Sequence, residues 1–376
     1  MIDTEVVVGE ALKLACQRDE LVAKLAVVAR AVSSRTAVQI LAGVLLRAED
    51  GQLHLAATDM ELSLRSSLEA NVEQEGSAVV PGRLLVDLAR LLPAEEVHIE
   101  HKPEEGTVLV VCGSATYRLH TYAAEDFPRL PEVESAPTFS VAADVLLSTV
   151  AQVARAASRD ESRPVLTGIL ARFERGTLVM AATDSYRLAV KHTSLGESEQ
   201  ELEAIVPARA LTELGRIAAD AGEVEIAVHE NQLVFHVRDV VLTTRRIDGQ
   251  FPNYKQLLPE TFEHVVTLPR RELLDVVRRA SVMAQRNTPL RLRFSEGELR
   301  VSAQTQDVGE ASESLPVGWE GDAVEIGFNA EFLREGLESV HSEDVQLKLI
   351  SPLRPGLIQG EGDDFSYLIM PIRLAG

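Results

Sequence analysis

One passage of this chain is written three times at a nearly fixed spacing, and that repetition restricts the fold more than any local motif does. Gly168-Ile-Leu-Ala-Arg-Phe-Glu-Arg-Gly-Thr-Leu-Val-Met-Ala-Ala-Thr-Asp184 alternates in character as two strands about an Arg175-Gly176 turn, the pattern of a β-hairpin, and a third strand follows Thr183-Asp184. The same text stands earlier at Gly43–Asp59 and, more worn, at Leu290–Ala303. Gly43 to Gly168, Gly51 to Gly176 and Thr58 to Thr183 are each 125 positions, and Gly176 to Gly297 is 121. Three units of domain size follow, because a period this long belongs to tandem domains and not to a solenoid.

Other landmarks keep the register. Val28-Ala-Arg-Ala-Val-Ser33 recurs as Val153-Ala-Arg-Ala-Ala-Ser158 and more loosely at Val277–Val282. Val80-Pro-Gly-Arg83 recurs as Val206-Pro-Ala-Arg209, and Phe127-Pro128 as Phe251-Pro252. Each unit reads as a helix, three strands, a second helix and further strands. Leu21, Leu25, Val28 and Val32 mark one face of the first helix, and Leu146, Val150, Val153 and Ala157 its second copy. The second helices are expected from Pro81 to Leu92 and from Pro207 to Ala219, with proline in the first turn. Asn329 is an N-cap candidate in the third unit. Strands kept apart from helices imply an α+β fold of three tandem similar domains with antiparallel sheets. Domains are expected at 1–130, 138–258 and 264–376, with linkers at Pro128–Pro137 and Pro252–Glu263, where proline clusters and periodicity stops.

An apolar content of 45% in 376 residues supports sizeable cores, and aromatics at 4% make those cores mainly aliphatic. Two cysteines, Cys16 and Cys112, form neither a disulfide framework nor a zinc site. The acidic start and the absence of a long apolar run lead to the expectation of a cytoplasmic protein without a membrane partner.

The net charge of −21 argues against nucleic-acid binding by the whole surface, so the distribution of cations matters more. Arg30, Arg155 and Arg279 recur at equivalent places on the first helices, with Arg35, Arg159 and Arg286 near the helix ends. Arg83 and Arg209 recur on the second helices. Such arginines serve a helix dipole. Equally, if the units lie in an arc, the helices line one concave basic face that makes phosphate contacts without reading bases.

Catalytic patterns are missing. Neither a P-loop nor GxGxxG occurs, the nine histidines show no metal spacing, and Ser185 lacks a nucleophile elbow. Glu361-Gly-Asp-Asp364 reads as a solvated acidic loop. No catalytic residue, metal or cofactor is expected.

Four passages in order carry a family resemblance: Ala182-Thr-Asp-Ser-Tyr-Arg-Leu-Ala189, Asp248-Gly-Gln-Phe-Pro-Asn-Tyr-Lys-Gln-Leu-Leu-Pro259, Glu325-Ile-Gly-Phe-Asn329 and Tyr367-Leu-Ile-Met-Pro-Ile-Arg-Leu374. With the repeat, they make essentially the whole chain similar to the bacterial sliding clamp family, the β subunit of DNA polymerase III. The resemblance implies a DNA-clamp fold: a head-to-tail homodimer closed around duplex DNA without regard to sequence, sheets outside and helices lining the inner face of the ring. Arg30, Arg35, Arg83, Arg155, Arg209 and Arg279 would then face DNA. It implies a subunit contact between the edge strand at Gly113–Thr121, with Leu119, and the region of Val282 and Met283. By periodicity alone, Leu119 and Met283 read as well as core residues.

The resemblance also implies a pocket for short peptides. Its partners would be the polymerase III alpha subunit, the clamp loader, and other polymerases and repair proteins carrying such peptides. Its residues would be Leu166, Thr183, Ser185, Tyr186, Arg187, Leu188, Pro252, Leu257, Asn329, Leu368, Met370, Pro371 and Arg373. Leu, Met and Pro suit an apolar cleft, and arginine can orient a peptide's polar groups. Ser185-Tyr186 stands where the family often has Gly-His, and Arg163–Gly168 lacks an aromatic pair that some members carry.

Overall fold

The repetition in the text is a repetition of secondary structure. The structure, a computed structural model, describes residues 11–33, 38–93, 95–130, 138–196, 201–229, 231–284, 288–306, 308–362 and 364–374. Arg35, Arg286 and Asp363 lie outside the described residues, as do 131–137 of the first expected linker. The first repeat runs β1 (Lys13–Gln17), α1 (Arg18–Val28), β2 (Gly43–Glu49), β3 (Gln52–Thr58), β4 (Leu62–Gln74), β5 (Gly76–Pro81), α2 (Gly82–Leu91), β6 (Glu96–Lys102), β7 (Thr107–Cys112) and β8 (Ala115–His120). The second runs β9 (Thr138–Ala142), α3 (Ala143–Val153), a single turn α4 (Pro164–Thr167), β10 (Gly168–Glu174), β11 (Thr177–Thr183), β12 (Arg187–Ser194), β13 (Leu202–Pro207), α5 (Ala208–Ile217), β14 (Glu223–His229), β15 (Gln232–Val237) and β16 (Val240–Arg245). The third runs β17 (His264–Pro269), α6 (Arg270–Ser281), β18 (Leu290–Ser295), β19 (Glu298–Thr305), β20 (Gly309–Pro316), β21 (Val324–Phe328), α7 (Ala330–Ser339), β22 (Asp344–Leu349), β23 (Gly356–Gly360) and β24 (Phe365–Ile369).

Four strands, not three, separate the helices of each repeat, and another precedes the first helix. The additional strands are short and run into a helix with little or no intervening turn, so no turn residues mark them off in the sequence. For the same reason proline falls one place early. Pro81 closes β5 opposite Gly43 and stands at the N-cap of α2 with ψ 111°, an extended residue before the first turn. Leu21, Leu25 and Val28 are fully buried as their spacing requires, each side chain contributing about 1.5–3 kcal/mol of apolar burial. After Val28 and Val153 the helices tighten into 3-10 turns, Ala29–Ala31 and Ala154–Ala156, so Ala156 is buried in the place expected for Ala157. Two turns take the left-handed geometry of a two-residue hairpin, with φ 48° and 74° at Asp50-Gly51 and 47° and 76° at Arg175-Gly176.

Strand pairing is antiparallel throughout the described residues and does not respect the repeat boundaries. The chain divides into two compact units, one holding residues to Asp144 with Glu213–Arg246, the other Val145–Thr212 with Ile247 onward. Within the first unit a twelve-stranded sheet forms because β4 pairs with β16, Leu64 opposite Leu242. Within the second, β12 pairs with β24 in an eight-stranded sheet, Leu188 opposite Leu368, while β18 to β21 make a separate four-stranded sheet. β4 corresponds to β12 in the repeat, and β16 to β24, so the two joints are the same joint made twice. The third copy of each partner stays open among the described residues: β8 has only β7 beside it, and β20 only β19. No helix among the described residues is long and apolar enough to cross a membrane.

Candidate functional site

The turn from β11 into β12, in the second unit, is where the middle repeat departs most from its siblings. Asp184 accepts backbone hydrogen bonds from Tyr186 at 2.9 Å and Arg187 at 3.1 Å, a local turn that asparagine and aspartate favour. Thr183 Oγ1 donates to the Arg187 carbonyl at 2.6 Å and accepts from the Ser185 N–H. Ser185 is thereby held at φ 82°, in the left-handed region, a conformation that strains a non-glycine residue by ~1 kcal/mol or more. Met60, its counterpart in the first repeat, has φ 79°, so the turn geometry belongs to the scaffold.

What the turn presents is particular to this copy. Tyr186 is 62% exposed, and Met370 and Leu257 are 42% and 49% exposed. The Met370 N–H donates to the Tyr186 carbonyl at 2.8 Å, which ties the end of β24 to the turn. Beneath lies a buried floor of Leu170, Leu188, Val190, Tyr254, Leu357 and Leu368, flanked by Val165, Phe251 and Leu258. Exposed apolar tips over a packed floor suit the side chains of a short peptide.

Of the two arginines expected at the pocket, Arg187 is held in a network of its own. Arg187 is buried at 8% exposure, donates from Nε to Asp184 at 3.0 Å and pairs through Nη1 with Glu335 of α7. Its guanidinium lies 4.3 Å above the Phe332 ring and reaches the Tyr367 hydroxyl at 3.3 Å. Burial opposes its charge, but Tyr367 and Glu335 outweigh burial and keep Arg187 firmly protonated. Burial likewise pushes the Tyr367 phenol above its ordinary range, so its O–H stays on to donate to the Phe332 carbonyl at 2.9 Å. This buried network anchors the turn to α7. Glu335 and Tyr367 were missed in the sequence because no local pattern links them to Arg187. Gly336 is part of the same arrangement, since a Cβ there would stand 2.6 Å from the Tyr367 ring.

The other expected pocket residues divide by burial. Thr183, Leu188 and Leu368 are almost fully buried, Leu166, Pro252 and Pro371 half-buried, and Arg373 exposed. Asn329 Oδ1 accepts from the Phe332 N–H at 3.0 Å, the N-cap its spacing suggested, so that oxygen is spent on α7. Ser185 Oγ accepts from Arg163 Nη1 at 3.1 Å; its neighbour is a cation and not a base. Burial raises the Cys16 thiol to about 12, which leaves it inert. Among the described residues no cluster of His, Cys, Asp and Glu gathers to hold a metal ion.

The repeated arginines among the described residues sit at the surface, and carboxylates answer Arg30, Arg155 and Arg279. In the first unit Arg30, on a 3-10 turn and not the helix proper, pairs with Glu213 at 3.2 Å, and Arg83 is exposed on α2. In the second, Arg155 pairs with Glu338, Arg279 with Glu313 at 2.7 Å, and Arg209 is exposed. Burial works against the Glu338 charge, yet hydrogen bonds from Arg278 and Arg155 hold its pKa below the ordinary value. Surface pairs of this kind are worth only about 0–1 kcal/mol, so they leave the arginines available to compete for phosphate. Leu119 is buried against β7, opposite Val108, whereas Val282 is 74% exposed. Met283 is half-buried, its Sδ 3.6 Å from where a Cβ on Gly309, the first residue of β20, would lie.

Comparison with known proteins accounts for nearly the whole chain. Family models of the DNA polymerase III beta subunit match in order: the N-terminal domain over residues 12–131, the central domain over 140–253 and the C-terminal domain over 255–373. The beta sliding clamp of Streptomyces coelicolor is 37% identical over 97% of this chain and all of its own length. That of Synechococcus elongatus is 36% identical over 96% of this chain and all of its own. Among solved structures, the DNA polymerase sliding clamp of Bacillus subtilis superposes with a TM-score of 0.92 at 28% identity, over 97% of this chain and 100% of that one. A sliding clamp of Pseudomonas aeruginosa solved bound to griselimycin has a TM-score of 0.88 at 29% identity, with the same coverage.

Proposed function

The chain belongs to the DNA polymerase III beta-subunit family, the bacterial sliding clamps, and from that premise we propose that two copies join head to tail into a ring that encircles duplex DNA and tethers the replicative polymerase. Its role is that of a processivity factor and not of a catalyst. Three domains, 1–130, 138–258 and 264–376, form each half of the ring, and the protein works in the cytoplasm.

One observation supports closure best. The joint β4–β16 recurs as β12–β24, and among the described residues the strands of its third instance, β20 and β8, each have one open edge. An open edge seeks pairing. Since Leu62 faces Thr244 and its repeat equivalent Arg187 faces Ile369, the same register on a second copy sets Gly309 against Leu119, Glu310 against Arg118 and Ala311 against Tyr117. Opposite charges then meet directly across the strands, and Val282 and Met283 flank the contact. Two such contacts related by a two-fold axis close and do not propagate.

Arg30, Arg35, Arg83, Arg155, Arg209 and Arg279 give the ring weak, sequence-independent hold on phosphates. Weak hold is what sliding requires, because topology and not affinity keeps the polymerase near its primer end. The surface of Tyr186, Leu257 and Met370 over Leu188 and Leu368 receives the peptides of the polymerase alpha subunit, the clamp loader and repair proteins, with Arg187 holding the turn in shape and not touching the peptide. The protein is loaded on a nicked circle and the circle is then cut. Release on linearisation is the expected result, and retention on a linear molecule with free ends would overturn the topological account.

A further inference from the structure

The first unit holds a cavity of about 570 Å³ over the outer face of β2, β3 and β4, within the size range of ligand pockets. Its wall is the segment Ala124–Leu130, with Phe127 and Leu130 turned to the sheet. Its floor is built as two rows across the strands. One is polar: Ser77, Arg47, His54 and Ser67 stand directly opposite one another in sequence of strands. The next is mostly apolar: Leu45 faces Ala56, which faces Arg65, which faces Val241 on β16. Cross-strand neighbours of this kind stand ~5 Å apart, so the rows present a strip of hydroxyls and cations beside a strip of hydrocarbon.

The second repeat supplies the comparison. At matching positions Val179 replaces His54, Val190 replaces Arg65, and Glu203 replaces Ser77. There Arg172 is answered across the sheet by Glu203 at 2.6 Å. Its counterpart Arg47 stands between Ser77 on β5 and His54 on β3, neither of them a carboxylate, and turns along its own strand to Glu49 at 2.6 Å. The first repeat has thus lost the cross-strand carboxylate and gained a second guanidinium, Arg65, above the apolar row. Asp239 also borders the cavity but is engaged by Lys24 and by Ser66 Oγ at 2.6 Å, and Glu125 stands exposed on the wall.

We propose that this cavity is a second binding site, which takes a short peptide segment carrying an aspartate or glutamate side chain next to an apolar one. The ligand carboxylate takes the place that Glu203 fills in the second repeat, between Arg47 and Ser77 and within reach of Arg65. The apolar side chain lies on Leu45, Ala56 and Val241 under Phe127.

The test uses the full chain with leucine and valine methyl labels, titrated to millimolar concentration with acetyl-Leu-Asp-Leu amide and with its Asn counterpart. Shifts of the Leu45, Leu130 and Val241 methyls by the aspartyl peptide are expected, with roughly tenfold weaker binding for the asparaginyl one, the loss of a charge-assisted hydrogen bond. Arg65→Val installs the residue that the second repeat carries at this place, so the sheet tolerates it, and Arg47→Gln keeps a polar side chain. Each is expected to weaken the aspartyl peptide several-fold, while a polymerase-tail peptide still shifts the Leu368 methyls. Silence of the three cavity methyls, equal binding of both peptides, or wild-type binding by both variants would overturn the site without touching the docking surface of the second unit.

Discussion

Replacing Glu335 with alanine isolates what holds the docking turn. Arg187 is 8% exposed and has two carboxylates, Asp184 and Glu335, together with the Tyr367 hydroxyl and the face of Phe332. Removing one partner of a buried pair outright costs about 3–5 kcal/mol when the remaining charge is stranded. Here Asp184 stays in place at 3.0 Å, so roughly 2–3 kcal/mol is the reasoned loss, a charge-assisted hydrogen bond in a buried setting. The readout is amide hydrogen exchange of β12, because unfolding of a multidomain chain has no single midpoint. A loss of this size speeds exchange of the Leu188–Val190 amides about 30- to 150-fold, while amides of β18 and β19 stay as they were. Affinity for a polymerase-tail peptide falls in parallel, since Tyr186 and Met370 share the loosened turn. Substituting both ends, Arg187→Met with Glu335→Leu, is expected to recover much of the protection, as apolar replacements of buried pairs often do. Unaltered exchange in Glu335→Ala, or a double variant less protected than the single, would refute the anchoring argument.

Three further outcomes follow from the same geometry. Glu310→Arg sets two cations opposite each other at the proposed subunit contact and is expected to yield monomers by analytical ultracentrifugation, and Arg118→Glu in the same chain to restore the dimer; a dimer in the single variant would contradict the register. Tyr186→Ser with Met370→Ser removes the exposed apolar tips and is expected to weaken peptide binding by at least tenfold (~1.4 kcal/mol or more of apolar contact) with thermal stability kept, whereas Leu188, fully buried, is unsuitable because its loss would damage the floor. For Asp239, burial raises the pKa but hydrogen bonds from Lys24 and Ser66 outweigh it, and the folded value lies below the ordinary 3.8. The unfolded chain therefore binds the proton first as pH falls, so the stability Asp239 contributes is full above ~3.8 and is lost as pH drops through the lower folded value; Asp239→Asn is expected to flatten that part of an acid-unfolding curve, and an unchanged curve would count against the pairing.

Much of this fold was legible because a 125-residue repeat lets each copy check the others. The hairpins announced themselves through Asp50-Gly51 and Arg175-Gly176, whose left-handed geometry is a property of adjacent residues. The N-cap at Asn329 was legible for the same reason: its partner is three residues away. Short strands before helices were not, since the brief Ala78-Val79-Val80 run before Pro81 suits strand or helix approach alike. Tyr186, Leu257 and Met370 were reached through family resemblance, and their exposure could not have been read from hydrophobicity, which would bury all three. Arg187 illustrates the deeper obstacle. As a lone arginine in a turn it reads as a surface hook, and only the long-range arrival of Glu335 and Tyr367 makes it a buried pin.

The strand joints also bear on the order in which this protein can be made. The β4 edge at Leu62–Arg65 is covered by Val241–Thr244, residues that leave the ribosome far later. At ~5–20 residues per second, the gap amounts to roughly 10–40 s during which the first sheet stands with an unsatisfied margin. The wait of β12 is similar, because its neighbour β24 is among the last strands synthesised. The first two repeats therefore cannot be completed one at a time from the N-terminus; the twelve-stranded and eight-stranded sheets are each joined by a strand from the repeat that follows. A nascent chain built this way has a standing need for something to shield bare backbone, and a fragment cut at the first linker would keep that need permanently.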